Sequence, residues 1–432
     1  MRSRRFGALN PLVLGALVWL GVLLPWPVFA ASSGFRAQAR IGYRVGDQWE
    51  PAIAADGSGN IYILYPQYGT VPGCPACRIP AMILLSSPDN GLTWQKPRTL
   101  YPAATGQFDP QIVVDPVDRR TVYAAWLQND RRDMVLAKSA DFGATWSAVI
   151  AHSTSWDLDK PVLAVHGPNI YLGFNHRQNL WVAFSHDGGV TFSSAEVQTK
   201  DHLAWSQAGG ATVDPAGNVY FSWTGYIHKD ADRGPLNLYV SKSADGGLSW
   251  TTSLLSVSGG APECKDDQCE SEFLSPQIAM ASDSAGTLYA LWNSGSAEKG
   301  AQRIYFASST TGGSSWSTRQ DISVADIGIE HAFPAITAGG EGDVRIAWMD
   351  ARHDKLWNAR YRSSTNGGAS WTPEVQLSHY TPGYSYIKSA GFSFPFGDYF
   401  SLTIDNRGDT HAVWGEGQNY QSPGSIWYTT GR

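Results

Sequence analysis

The sequence predicts an all-β protein built as a seven-bladed β-propeller, with four-stranded antiparallel blades; six blades is the alternative count. Three observations carry this expectation. The composition is rich in turn formers and β-forming aromatics, a short turn motif recurs six times, and a strand-opening segment recurs seven times.

The composition bounds the problem first. The 432 residues include 45 Gly, 18 Trp and 19 Tyr, which suits many short strands joined by tight turns. With 43% hydrophobic and only 16% charged residues, the chain has the opposite balance to a disordered one. A net charge of -6 with no Lys/Arg-rich stripe excludes a nucleic-acid partner, because nothing is available to neutralise phosphates.

Residues 1–30 have the layout of a secretory signal peptide. Arg2, Arg4 and Arg5 form a basic start, Leu12 to Leu24 an apolar run, and Val28-Phe29-Ala30 an ending in small residues. The apolar run is short for a membrane span, and an uncleaved anchor is the alternative. The expectation is a secreted, extracellular protein, monomeric, with no membrane span after signal removal, whose residues 31–432 form a single domain.

The turn motif is Ser87-x-Asp89-x-Gly91-x-x-Trp94, repeated from Ser139 to Trp146, Ser185 to Phe192 and Ser243 to Trp250. Weaker copies run from Ser309 to Trp316 and Ser364 to Trp371, and successive copies lie 46 to 66 residues apart. Each reads as a hairpin turn. The Asp or Asn side chain bonds nearby backbone N–H groups, Gly supplies a positive φ, and the aromatic packs beneath.

A strand-opening segment precedes each box: Glu50-Pro51-Ala52-Ile53, Asp109-Pro110-Gln111-Ile112, Pro161-Val162, Gly210-Ala211, Pro276-Gln277 and Pro334-Ala335. A seventh, Phe400-Ser401-Leu402-Thr403, ends at Ile426-Trp427-Tyr428 without a box. Each unit therefore reads as a four-stranded meander, the unit of a propeller. The last unit is one strand short, and Phe35 to Gly42 is expected to supply it and close the ring.

Four cysteines occur as Cys74/Cys77 and Cys264/Cys269. Oxidised local bridges are the expectation in an exported protein, and a zinc site joining both pairs is the alternative. No cofactor is expected apart from a calcium option, in which Asp266, Asp267, Glu270 and Glu272 supply oxygen ligands.

The boxes resemble the Asp-box (BNR) repeats of the sialidase, or neuraminidase, superfamily. Alternation of strands sorts the connections onto two faces, with box turns and first-to-second turns on one. The longer loops collect on the other, where functional residues concentrate. The resemblance implies a glycoside hydrolase with a tyrosine nucleophile acting on terminal acidic sugars. Asp398-Tyr399-Phe400-Ser401 is similar to the segment carrying that tyrosine, and a phenol avoids the repulsion a carboxylate nucleophile meets at an acidic sugar. Met349-Asp350-Ala351-Arg352 resembles the place of a carboxylate-binding arginine, whose fork bonds both oxygens. On this reading Tyr399 attacks, Glu330 or Glu416 takes its proton, and Asp130 is the general acid. Arg352, Asp350, Asp398 and Glu50 are the substrate-binding set. Glu50 stands where the family's first-blade arginine is expected, a departure from the pattern.

The alternative is a non-catalytic propeller that binds a glycan, glycoconjugate or protein on its loop face. Trp49, Tyr65, Tyr68, Trp126, Trp156, Trp205, Tyr226, Phe394 and Phe396 supply aromatic surface there. The second-strand residues Trp126, Trp223, Trp292, Trp348 and Trp414 equally suit a core between blades.

Overall fold

The computed structural model describes residues 34–262, 274–353, 356–379, 400–416 and 424–432. Seven antiparallel sheets follow one another along the chain, and the described residues contain no α-helix. The first strands are Ala52–Ala55, Gln107–Val114, Leu158–His166, Trp205–Val213, Ile278–Ser282, His331–Ala338 and Phe400–Ile404. Each packs against the next around a central channel, and the seventh packs against the first. Second strands are sealed on both faces by the adjoining blades. The expected core residues Trp126, Trp223, Trp292, Trp348 and Trp414 are all buried to within 1%. Trp126, for example, clusters with Ala52 and Leu64 of blade 1 and Ile112 of blade 2. Truncating one such tryptophan costs about 3–5 kcal/mol.

The predicted closure is present. Ala39–Ile41 pairs antiparallel with Ser425–Gly431, in register Ala39 to Tyr428 and Ile41 to Ile426, as the outer strand of the seventh blade. Phe35 extends it through a bridge to Gly431 and packs edge-on against Tyr361 at 4.8 Å. A second fastening lies on the box face, where Asn90 of blade 1 donates to Asp405 and Asn406 of blade 7 at 2.7 Å each. Fourth strands of blades 1, 5 and 6 are only two residues long (Arg98–Thr99, Gln320–Asp321, Val375–Gln376), which keeps exposed edges short.

The boxes behave as their residue types require. In the first, Ser87 Oγ donates to Asp89 at 2.8 Å and accepts the Gly91 N–H at 2.9 Å. Asp89 in turn accepts the Thr93 N–H at 2.8 Å and its hydroxyl at 2.6 Å. Gly91, at φ 77°, abuts the Tyr428 hydroxyl so closely that a Cβ would lie 1.9 Å from its oxygen. A second repeated clasp joins first and second strands. Asp56, Asp214 and Asp283 accept the hydroxyls of Tyr62, Tyr220 and Tyr289, and His411 takes the tyrosine's place opposite Asp405. Cys74 and Cys77 form a disulfide, whereas Cys264, Cys269 and the acidic residues 266–272 lie outside the described residues.

Two outcomes follow. Phe35→Ala should lower stability by about 3 kcal/mol, and deletion of residues 34–42 should cost more, both read by chemical denaturation. A wild-type-like midpoint for the deletion would show that closure is dispensable. In the boxes, bonds from the Thr145 and Ser249 hydroxyls, joined by the same residues' backbone N–H groups, hold Asp141 and Asp245 each down to about 2. A carboxylate depressed on folding stabilises above its unfolded value and loses that contribution as pH falls through the folded one. Thermal stability should therefore drop as pH falls from about 4 to 2, and Asp141→Asn should reduce that acid dependence.

Candidate functional site

The site begins with a backbone device. Glu50, Asp109, Lys160 and Phe333 all have positive φ, 50 to 56°, and all are followed by proline at the start of a first strand. Pairing shifts register around three of these points, between Phe108 and Gln111, Asp159 and Val162, and Ala332 and Ala335. A proline has no N–H to give the ladder, so a bulge is where a strand accommodates it. A left-handed non-glycine residue is strained, and such residues cluster where structure serves a site. In blade 1 the same irregularity splits the strand, so that Asp47–Gln48 pairs separately with Tyr68 and Gln67.

The first strands enclose a channel cavity of about 250 Å³, with Gln111, Lys160, Gln207, Gln277 and Ser401 among its polar lining. Glu50, Asp109 and Lys160, from three consecutive blades, gather where the strands begin, and each is at least 92% buried, at 1%, 8% and 8% exposure. Burial pushes Glu50 up to about 7, with the Lys160 charge opposing and Asp159 reinforcing the rise. Burial also raises Asp109 well above the carboxylate range, and the charges of Glu50 and Asp159 add to it, against Lys160 and Arg131. Two neighbouring carboxyls cannot both ionise cheaply here, so burial and their mutual repulsion both favour the protonated form of the pair. Glu50 Oε1 is buried and has no hydrogen-bond partner among the described residues.

The surroundings extend this cluster. Tyr68 is raised well above its ordinary value by burial and by Glu50, Asp109 and Asp47. It stacks on Trp49 at 4.3 Å. Asp47 is itself pushed up to about 6 by burial, despite accepting the Gly424 N–H at 2.8 Å. Arg131 donates to Asp157 at 3.2 Å and lies 3.9 Å from Asp159.

The sequence-derived site residues fall into separate places. Asp130 is exposed at the tip of blade 2's second hairpin, where Asn129, Asp130 and Arg131 are successive left-handed residues. On blade 6, Arg352 donates to both oxygens of fully buried Asp350 and to Glu374 at 2.8 Å, so its fork is engaged within the protein. Arg360 approaches the same Asp350 at 3.4 Å. Glu330 adjoins this hairpin, its backbone carbonyl accepting the Ala351 N–H at 3.1 Å. Its carboxyl accepts the Gln302 N–H at 3.2 Å and is pushed up to about 8 by burial. Glu416, on blade 7, accepts the Trp414 indole N–H at 2.7 Å. Asp398 and Tyr399 lie outside the described residues, directly before Phe400 in the channel-lining strand.

Glu330, Asp350 and Arg352 are thus brought together, while Glu50 belongs with Asp109 and Lys160. Those last two were missed by sequence reasoning. The signal was present in the repeated X-Pro pair, which reads as a strand opener until the ring places its X residues side by side. Among the described residues, no group of three or more His, Cys, Asp or Glu side chains is arranged to hold a metal ion.

Comparison with known proteins agrees with this architecture. Residues 50–202 match the family model described as a BNR repeat-like domain. A search of curated proteins returns no match to this sequence. Among solved structures, a protein of unknown function from Dyadobacter fermentans DSM 18053 is 14% identical with a TM-score of 0.53, covering 92% of this chain and 99% of its own. The polysaccharide lyase family 25 ulvan lyase bound to -[GlcA(1-4)Rha3S]- is 13% identical with a TM-score of 0.52, covering 90% and 95%. Ycf48 bound to a D1 peptide is 11% identical with a TM-score of 0.50, covering 93% and 98%. At such identities the likeness is one of fold. The resemblance read from the boxes holds at the level of repeat and ring: residues 50–202 are similar to the BNR repeat-like family, and the described residues form a propeller of seven blades.

Proposed function

We infer that the protein is an exported, glycan-acting propeller that holds an acidic carbohydrate over the loop-face mouth of its central channel. The observation that carries this reading is the buried Glu50/Asp109 pair beside Lys160. A carboxyl still protonated near pH 7 can give its proton to a leaving glycosidic oxygen, and its ionised neighbour can take one from the attacking group. Lys160 supplies a fixed positive charge suited to the carboxylate or sulfate of an acidic sugar. The ulvan lyase structure, of the same fold, holds an acidic saccharide, which is in keeping with that substrate class. In the sialidase-type version of this reaction Tyr399 is the nucleophile, with Glu330 or Glu416 as its base and Asp130 as acid. The residues 1–30 support export.

One observation favours the second reading, a propeller that binds the glycan without cleaving it. Arg352 already bonds Asp350 and Glu374, which leaves it no open fork for a substrate carboxylate.

Acidic glycosides and polysaccharides should be assayed with the wild type and with Glu50→Gln, Asp109→Asn and Tyr399→Phe. Under the catalytic reading Glu50→Gln lowers turnover by about 10²-fold or more, and wild-type turnover falls as pH rises through about 7. Tyr399→Phe separates the sialidase-type route, which it abolishes, from chemistry carried by the mouth alone. Binding without turnover leaves the second reading; neither binding nor turnover overturns both. Loss of fold is checked independently. Glu50 is raised on folding, so its neutral form favours the native state at low pH and its charged form costs stability as pH rises through about 7. Glu50→Gln should therefore be more stable than wild type above pH 8, by up to about 3 kcal/mol, and show no gain at pH 4.

A further inference from the structure

Trp156 departs from the pattern of the second-strand tryptophans. It lies between the last strand of blade 2 (Ser147–Ser153) and the first of blade 3 (Leu158–His166), and it is 55% exposed. A single exposed apolar side chain is ordinary on a protein surface. This one, however, is held. Its segment is pinned to blade 2's hairpin by the Thr154 N–H donating to the Arg132 carbonyl at 3.0 Å and the Leu158 N–H to the Arg131 carbonyl at 2.7 Å. The Arg177 guanidinium, on the tip of blade 3's second hairpin, covers one face of the indole at 4.3 Å from the ring centroid. The ring is thereby fixed in place with its remaining surface turned to solvent, a preorganised platform.

Its position relates it to the mouth. Asp157 and Asp159 share Arg131, and the Asp159 charge acts on both Glu50 and Asp109. Lys160 is four positions along the chain from Trp156, so their backbones lie no more than about 14 Å apart. A short oligosaccharide spans that distance. Sugar rings present apolar C–H faces to aromatic planes, and an indole is the largest such plane a protein offers.

We propose that Trp156 is the stacking platform of a second sugar subsite, taking a pyranose ring of an acidic oligosaccharide whose neighbouring unit occupies the mouth. Arg177, exposed and seated over the opposite face of the indole, offers its outer N–H groups to a carboxylate or sulfate of the same oligosaccharide. This inference rests on the glycan reading above and narrows it: the ligand is an oligomer running toward blade 3, rather than a lone terminal sugar.

The test is calorimetric titration with galacturonate and oligogalacturonates of increasing length, alongside sulfated oligosaccharides. Wild-type affinity should rise with length. Trp156→Ala should lose on the order of tenfold for the longer oligomers and nothing for the monosaccharide, while Trp156→Phe keeps most of the gain. Lys160→Ala should weaken monosaccharide and oligomer alike, and Leu248→Ala, in a box turn on the opposite face, should change neither. Oligomer binding that Trp156→Ala leaves intact overturns the platform while the mouth stands as the glycan site. A wild type that binds no saccharide of either charge class overturns both.

Discussion

A ring of sheets exists only if its last edge meets its first. Here that meeting is made by Ala39–Ile41 against Ser425–Gly431, an antiparallel pairing between the two ends of the described chain. An open array would leave a long edge strand of unpaired N–H and C=O groups and would expose the flank of the first blade. Closure seals both, and the Asn90 bonds to Asp405 and Asn406 fasten the same seam on the box face. Because the first strands are held in a ring, residues far apart in sequence stand next to one another at its centre. Every property of the site depends on that enforced proximity.

What the ring assembles at its mouth is costly to assemble. Three charged side chains at the inner starts of three consecutive blades are buried, on left-handed residues each followed by proline. Burying a charge is unfavourable unless it is paired or neutralised. The raised carboxyls ease part of that cost by favouring their neutral forms, and the opposing charges of Lys160 and Arg131 offset another part. Blade 6 shows the contrasting solution. There Asp350, Arg352, Arg360 and Glu374 neutralise one another through direct bonds and ion pairs, which is how a structural cluster is built. Among the described residues Glu50 Oε1 has no hydrogen-bond partner, whereas both oxygens of Asp350 accept from Arg352.

The fold was largely legible in the sequence because its information is local. A box such as Ser139 to Trp146 states its turn in eight residues, and counting seven strand openers against six boxes assigns the N-terminal segment to the last blade. The site was legible only where a family pattern was broken, at Glu50. Asp109 and Lys160 carry no local mark beyond the proline that follows them, since their meaning comes from neighbours a whole blade away. Arg352 illustrates the reverse error of locality. Asp350 beside it was visible, but Glu374, 22 residues on, completes the pairing that occupies its fork. Trp156 was legible as an aromatic near the loop face and not as a held one, because Arg177 and Arg131 come from two other hairpins.

The account turns on the Glu50/Asp109 pair holding a proton at neutral pH. Titration of the carboxyl carbons by ¹³C NMR, assigned by comparison with Glu50→Gln and Asp109→Asn, measures this in the intact protein. The account predicts a coupled titration in which both carboxyls are raised above the ordinary carboxylate range, Glu50 to about 7, and a fall of the remaining group's value when either partner is neutralised. Two independent titrations near the ordinary carboxylate value of about 4 would contradict it.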